Sequence, residues 1–398
     1  MEAEQYIAML QDKHFLDLKK MNYKYGQDSV QKMLALLELQ AVKHLPLSDF
    51  TGQQNFYCLA PYAHSSSGAV SALMRHSGNA SYGVQALTDE IVSTLSIEQI
   101  HTSRESVRTI LTGKAPANTA EDHIWGMKKG FDFIADKRNT INAETVRALY
   151  ELVVNPYFAE KADCLSAAQL YREGPVSIVN ETKGQIVHSG APAGRIPAMM
   201  QELFDFLNQD AELDDLAKAT VLHFYVAYIH PYYDGNGRMA RMLHLWYLLQ
   251  KGYSAALFLP FSSIIQETKK GYYKAFDLIN ANHEITGKYD ISPFLAYFNQ
   301  TVYAQIKAAP SCNDGLEAFQ QLLKTGEITA KEKELFYFVL SHYGSAEFST
   351  KQLERDFAHC AYATIRNFVL KLSKAGILEE HIYGNRKKYN LMTTGREA

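Results

Sequence analysis

Two apolar runs, Val221 to Ile229 and Met242 to Leu249, bracket the string His230-Pro231-Tyr232-Tyr233-Asp234-Gly235-Asn236-Gly237-Arg238-Met239-Ala240-Arg241. Each run suits a buried helix, so the string must form the polar corner between two helices packed in one core. A Gly-Asn-Gly segment opening the second helix leaves several backbone N–H groups outside the helical ladder, where the helix dipole favours an anion. Gly235 and Gly237 can take φ > 0 and let a ligand approach the backbone closely. Arg238 and Arg241, three apart, share a helix face and can reach one polyphosphate. Asp234 is placed to hold a hard divalent cation such as Mg²⁺, which binds one or two carboxylates plus substrate phosphates. His230 ends the first helix and faces the same loop as a candidate base. Together these parts predict a nucleotide-phosphate site with a base beside it.

The rest of the 398-residue chain is long enough for two or three domains. Hydrophobic residues make up 47% and charged residues 21%, which excludes a disordered polyelectrolyte. A net charge of −3 carries no general nucleic-acid or membrane signature. Cys58, Cys164, Cys312 and Cys360 are far apart and form no CxxC pair, which argues against a zinc site or a disulfide framework and fits a reducing cytoplasm. The acidic start Met1-Glu2-Ala3-Glu4 does not resemble a signal peptide, and no run approaches a membrane span, so a cytoplasmic protein without a membrane partner is expected.

Helical periodicity dominates. It runs over Asp12 to His44 with a break near Gly26, then Gly68 to Arg75, Gly83 to Ile100, Ala143 to Val154 and Ile196 to Asn208, with Asn55 to Pro61 reading as a loop. Val176 to Val179 and Gln185 to His188 alternate around the polar turn Asn180 to Gly184, which predicts a β-hairpin. The pattern stops near Ala308 to Gly315. Beyond it come three short helices (Ala330 to Leu340, Lys351 to Phe357 with Ser349 as its N-cap, Ala361 to Lys374) and two strands (Ile377 to Ile382, Lys387 to Leu391) around Gly384-Asn385. That order resembles a winged helix-turn-helix. Arg366, Lys371 and Lys374 on its third helix, with Arg386, Lys387 and Lys388 on its wing, leave DNA open as a partner. The core stripe Ile365, Phe368, Val369, Leu372 equally suits a protein-binding module.

The string at 230–241 closely resembles the signature of Fic-domain proteins, His-Pro-Phe-x-(Asp/Glu)-Gly-Asn-Gly-Arg-x-x-Arg, with Tyr232 in place of the Phe. The resemblance covers roughly residues 50 to 305. It implies a mainly α fold, a Fic helical-bundle core with a β-hairpin flap, here followed by the small winged helix-turn-helix domain. The expected divisions are 1–115 for the N-terminal helical region, 116–308 for the Fic core and 309–398 for the winged domain. It implies protein adenylyltransferase activity: AMP moves from ATP, with Mg²⁺, to a Tyr, Thr or Ser hydroxyl of a target protein. By the same resemblance His230 is the base and Asp234 holds Mg²⁺. Asn236 with the backbone of Gly235 and Gly237 holds the α-phosphate, Arg238 the β-phosphate and Arg241 the γ-phosphate. Tyr272 and Asn280 stand where adenine and ribose are contacted. Ile178, Val187 and His188 are the flap's candidates for nucleotide contact, and the flap would hold a target segment by strand addition.

Thr94-Leu95-Ser96-Ile97-Glu98-Gln99 resembles a second family string, the inhibitory (Ser/Thr)-x-x-x-Glu-(Gly/Asn), departing from it at Gln99. Thr94 and Glu98 fall on one helix face. The resemblance implies that Glu98 pairs with Arg241 and denies it to ATP. Two other readings stay open at this point: a de-adenylylase in which Glu98 orients water, and a catalytically silent DNA-binding regulator. The long N-terminal helical region could support a homodimer.

Overall fold

The computed structural model describes residues 2–66, 69–70, 73, 84–157, 164–180, 185–208, 213–253, 256, 260–308, 319, 322, 325–343, 347–357, 360–384 and 386–391. Three helices open the chain: α1 (Ala3–Leu10), α2 (Leu18–Tyr25) and α3 (Gln27–Gln40). Asp17 caps α2 by accepting from the Lys20 N–H, and Gly26 at φ +83° makes the expected break before α3. Met9, Leu18, Met21, Val30, Met33 and Leu37 form a small core of their own.

The segment Asn55 to Pro61 is not a loop. It holds β2 (Phe56–Leu59), which pairs antiparallel with β1 (Val42–His44) and parallel with a strand near residue 290. Four consecutive buried residues give no alternation to read, and the parallel partner lies more than two hundred residues downstream.

Helix α4 (Val84–Ile97) follows, and the expected helix at Gly68 to Arg75 lies mostly outside the described residues. Helices α5 (Arg104–Leu111), α6 (Thr119–Ala135) and α7 (Ala143–Val153) each begin at a side-chain cap. Ser103 accepts from Ser106, Asn118 from Glu121, and Asn142 forms a reciprocal box with Thr145. Next comes the expected hairpin, β3 (Ser177–Asn180) against β4 (Gln185–Ser189), with a register shift between Ile178 and Val179. Its turn, 181–184, lies outside the described residues.

The centre is built by α8 (Ile196–Asn208), α9 (Asp215–Ile229) and α10 (Asn236–Gln250). Both α9 and α10 are buried on nearly every side, which is why their apolar runs show no polar stripe. Around them pack α11 (Phe261–Glu267), α12 (Lys269–Thr286), the strand β5 (Tyr289–Asp290) that completes the first sheet, α13 (Ser292–Tyr297), a π-helical stretch Phe298–Val302 and α14 (Tyr303–Ala308). One core runs from Leu45 to Tyr303.

The C-terminal unit has a separate core of Phe319, Leu335, Phe336, Phe348, Ile365 and Phe368 with their neighbours. It consists of α15 (Ala330–His342), α16 (Thr350–Phe357), α17 (Tyr362–Lys374) and the antiparallel pair β6 (Leu378–Tyr383) and β7 (Arg386–Leu391). Ser349 caps α16 as expected, accepting from the Gln352 N–H. Asn385, in the expected wing turn, lies outside the described residues, and α15 packs against α4.

Candidate phosphate-binding loop and its internal carboxylate

His230 caps the end of α9 in the left-handed region (φ +55°, ψ +60°), and Gly235 opens α10 at φ +75°. Two left-handed residues five apart turn the chain back on itself. For His230 this conformation costs about 1–2 kcal/mol, so neighbouring contacts must hold it there. A side chain at Gly235 would also run into Val154. The first α10 hydrogen bond is Met239 N–H to Gly235 O, so the amides of Asn236, Gly237 and Arg238 precede the ladder.

The two arginines lie buried behind this helix start, Arg238 at 1% exposure and Arg241 at 6%. Arg238 donates to Asp234 Oδ2 at 3.1 Å and to His123 Nδ1 at 3.4 Å. Arg241 donates through Nε to Thr94 Oγ1 at 2.8 Å, and through Nη2 to Thr94 O at 3.2 Å and Glu98 Oε1 at 2.6 Å. The same Glu98 oxygen lies over Gly237 so closely that a methyl group there would collide with it. A carboxylate of this chain therefore sits at the anion-favouring end of α10. Burial alone would raise the Glu98 carboxyl, but Arg241, followed by Arg238 and His230, outweighs burial and holds it below its ordinary range.

Glu98 itself lies one residue past the end of α4, and Gln99 after it takes φ +62°. That geometry explains the family's Gly or Asn at this place, since both tolerate the left-handed region better than Gln. Three polar contacts pin α4: Glu90 accepts from the Ser262 N–H and hydroxyl, Gln266 reaches Ser96 Oγ at 3.2 Å, and Lys269 reaches Ile97 O at 3.3 Å.

His230 Nδ1 lies 3.2 Å from Ala227 O. A carbonyl only accepts, so Nδ1 carries the hydrogen and Nε2 keeps the free lone pair. Burial pushes the imidazole down to about 4. The Ala227 carbonyl and Glu98 oppose that, while His188 and Arg172 add to it. Burial thus keeps this histidine in the neutral form at pH 7, the form that can accept a proton.

Other sequence-assigned residues fall differently. Asn236 is 2% exposed and spends its side chain on the loop, accepting from Tyr232 N–H at 2.9 Å and donating to Tyr232 O at 2.8 Å. Only its backbone amide remains for a phosphate, so its side chain shapes the cradle instead of lining it. Tyr272 is 5% exposed with its hydroxyl 2.9 Å from His223 Nε2, while Asn280, eight residues along α12, is exposed. Eight helical residues rotate the face by about 80° and advance about 12 Å, so one is buried in the core while the other lies at the surface. Ile178 is exposed on β3. His188 is turned inward, its Nε2 donating to Tyr228 O at 2.7 Å with its ring 6.4 Å from that of His230. The Val187 side chain lies outside the described residues. Among the described residues no three acidic, His or Cys side chains cluster as a metal site. The exposed carboxylate of Asp234 is an oxygen ligand that suits Mg²⁺ held mainly by phosphates, which the loop amides suit in turn.

Tyr232, the departure from the signature, stacks on Tyr150 with ring centroids 3.8 Å apart and is fully buried. Its hydroxyl has no hydrogen-bond partner among the described residues. Tyr232→Phe keeps the stack and removes that desolvated hydroxyl, so it should raise stability by about 1 kcal/mol, read as a shifted denaturation midpoint. Sequence reasoning missed Tyr150, His123 and Arg172. Only the tertiary arrangement brings them to the loop, although the isolated string Tyr171-Arg172 just before the hairpin was available as a signal.

The Fic/DOC family model matches residues 140–248, from α7 through most of α10. Over 110 residues the chain is 28% identical to the protein adenylyltransferase fic-1 of Caenorhabditis elegans, covering 27% of this chain and 19% of that protein. Over 106 residues it is 29% identical to the protein adenylyltransferase Fic of Drosophila willistoni, covering 26% and 19%. The matched segment thus spans about a fifth of the length of these curated relatives. Among solved structures, a Fic family protein from Desulfovibrio desulfuricans G20 aligns with a TM-score of 0.46 and 20% identity over 79% of this chain and 88% of its own. Fic-1 of C. elegans aligns at 0.43 and 20%, over 61% and 69%. The loop at 230–241 and the hairpin both fall inside residues 140–248, the segment of this chain that matches the Fic/DOC family model.

Proposed function

We propose that this protein transfers the AMP moiety of ATP to a Tyr, Thr or Ser hydroxyl of a target protein, and that Glu98 holds the reaction off. The observation that carries the reading is the Glu98 carboxylate itself, lying over Gly237 and 2.6 Å from the Arg241 guanidinium. A cradle that already binds one anion of the chain suits a phosphate in the same place.

In the proposed reaction the target hydroxyl oxygen forms a bond to the α-phosphorus while the bond from that phosphorus to the β-phosphate oxygen breaks. The hydroxyl proton goes to His230 Nε2, the free lone pair of the neutral imidazole. The loop amides, Arg238 and Arg241 receive the charge that develops as pyrophosphate leaves. Asp234 would hold Mg²⁺, which when bound neutralises phosphate charge. The flap would present the target strand along β3, where Ile178 is exposed. With Glu98 in place, Arg241 is unavailable to the γ-phosphate and ATP lacks its productive pose.

The C-terminal unit is proposed as a module for partner choice, with a protein favoured over DNA. Lys387 pairs with Glu380 at 2.7 Å, Lys388 with Glu347 at 3.3 Å and Lys371 with Glu332 at 3.0 Å, which cancels much of the basic cluster. Of the proposed divisions 1–115, 116–308 and 309–398, the first boundary falls inside the one core that runs from Leu45 to Tyr303, and the last separates that core from the C-terminal one. Location in the cytoplasm is part of the same proposal and rests on the sequence alone.

The test uses α-³²P-labelled ATP with the wild type, Glu98→Gly, and Glu98→Gly combined with His230→Ala. Label on protein that appears with the first substitution and disappears with the second supports transfer. No label in the Glu98→Gly protein, even with lysate added as a source of targets, sinks it. Release of AMP from a modified protein by the wild type, lost in Glu98→Gly, would instead support removal by a Glu98-oriented water.

Gln99 offers a separate prediction. Its left-handed backbone costs about 1–2 kcal/mol, which glycine would relieve, while glycine's extra freedom in the released state gives back about 0.4–1 kcal/mol. Relief wins by a small margin. Gln99→Gly should lower residual wild-type transfer about threefold and leave the Glu98→Gly enzyme unchanged, as measured by initial rates of labelling.

A further inference from the structure

Arg172 stands in the segment that leads into the hairpin, 2% exposed, and among the described residues no carboxylate pairs with it. A buried guanidinium without a counter-ion is costly unless its N–H groups are filled. Here they are filled by three backbone carbonyls: Nε donates to His230 O at 2.8 Å, Nη2 to Ala191 O at 2.6 Å, and Nη1 to Gly174 O. The Arg172 backbone N–H adds a bond to Pro231 O at 3.0 Å. Nearby, Ala191 N–H reaches Ile229 O at 2.9 Å, and Tyr233 Oη accepts from Gly174 N–H at 2.9 Å. Gly190, at the base of β4, leaves room for the guanidinium, since a side chain there would strike Nη2 and the His230 Cβ.

These contacts share a logic. The His230 carbonyl sits at the end of α9, where the last carbonyls lack helical partners, and the residue is held in a conformation that non-glycine residues avoid. A planar, rigid fork can fill three carbonyls from three separate segments at once, which a lysine cannot.

We infer that Arg172 is a positioning residue for the proposed transfer: it clamps His230 to both ends of the flap, so that the base and the strand presenting the target hydroxyl keep one fixed separation. The inference rests on the transfer reading above. A clamp of this kind acts on the chemical step and leaves the phosphate cradle alone, because Arg238 is held by Asp234, Arg241 by Thr94 and the start of α10 by its own first hydrogen bond. It also places a fixed positive charge near the imidazole, which is faced as well by His188 and Glu98.

The test compares Arg172→Lys and Arg172→Met in the Glu98→Gly background, with two readouts. The first is kcat against KM for ATP in AMP transfer. The second is the titration midpoint of His230 by NMR of ¹³C-histidine-labelled protein, which needs no activity. Arg172→Met is expected to lose about 30-fold or more in kcat with KM for ATP held within about twofold, in line with misplacing a catalytic group. Its His230 midpoint should rise as the positive charge is removed. Arg172→Lys should keep the midpoint near that of the parent and recover part of kcat.

Unchanged kcat and midpoint in the Met variant would overturn the inference, as would a loss of kcat matched by an equal rise in KM. If the Met variant does not fold, a Lys variant with full kcat overturns it by itself. Absence of transfer in the Glu98→Gly parent defeats the functional reading instead, and the His230 midpoint then decides the clamp alone.

Discussion

Glu98→Gly is expected to raise the rate of AMP transfer about a hundredfold over the wild type. The brake rests on one charge-assisted hydrogen bond, Arg241 Nη2 to Glu98 Oε1, supported by Thr94 holding the same guanidinium through its hydroxyl and carbonyl. A hydrogen bond to a charged group contributes about 1.5–3 kcal/mol, and each 1.4 kcal/mol is a tenfold change in population. If ATP binds productively only when Arg241 is free, the apparent affinity falls by the fraction of released molecules. Removing Glu98 also leaves a buried guanidinium without its counter-ion, which favours the incoming phosphate further. The measurement is the initial rate of labelling from α-³²P-labelled ATP at saturating Mg²⁺, with Thr94→Ala as a milder companion. Equal rates in wild type and Glu98→Gly would remove the brake from the account.

The corner between α9 and α10 was legible because its signals are local. Two apolar runs, two glycines and two arginines at fixed spacing state a helix corner with an anion site, whatever the rest of the chain does. The pairing of Glu98 with Arg241 was legible for the same reason, and the residue after it, Gln99, occupies a left-handed turn. What stayed hidden depends on distance. β2 has its parallel partner at Tyr289–Asp290, and no periodicity within Phe56–Leu59 announces it. Arg172 looks like a surface arginine until the fold closes around it. Tyr272 and Asn280, assigned by resemblance alone, divide between core and surface, Tyr272 bonding His223 while Asn280 is exposed, a difference that no local spacing states. At Asn236 the residue type was right, but its amide completes the loop's own hydrogen bonds before any ligand arrives.

His230→Ala, in the Glu98→Gly background, should lower kcat about a thousandfold with little change in KM for ATP. Removal of a positioned general base typically costs about 10²–10⁴, and nothing in the phosphate cradle depends on the imidazole. The pH dependence separates this role from mere packing. The imidazole is active as the neutral form, so rate is lost as pH falls through its pKa. Burial sets that pKa at about 4, and because Glu98 raises it, the Glu98→Gly enzyme should titrate no higher. The expected profile therefore rises with pH up to the region of 4 and is flat from there through neutrality, where an unperturbed histidine would still be titrating near 6.5. An acid limb centred near 6.5 would mean that His230 is more solvated during turnover than its contacts with Ala227, His188 and Arg172 imply. The same sign governs stability. A histidine that is harder to protonate when folded costs the fold stability as pH drops from about 6.5 toward 4, so activity must be measured where circular dichroism shows the protein still folded. A limb that persists in His230→Ala belongs to another group, and the assignment of the base would then be withdrawn.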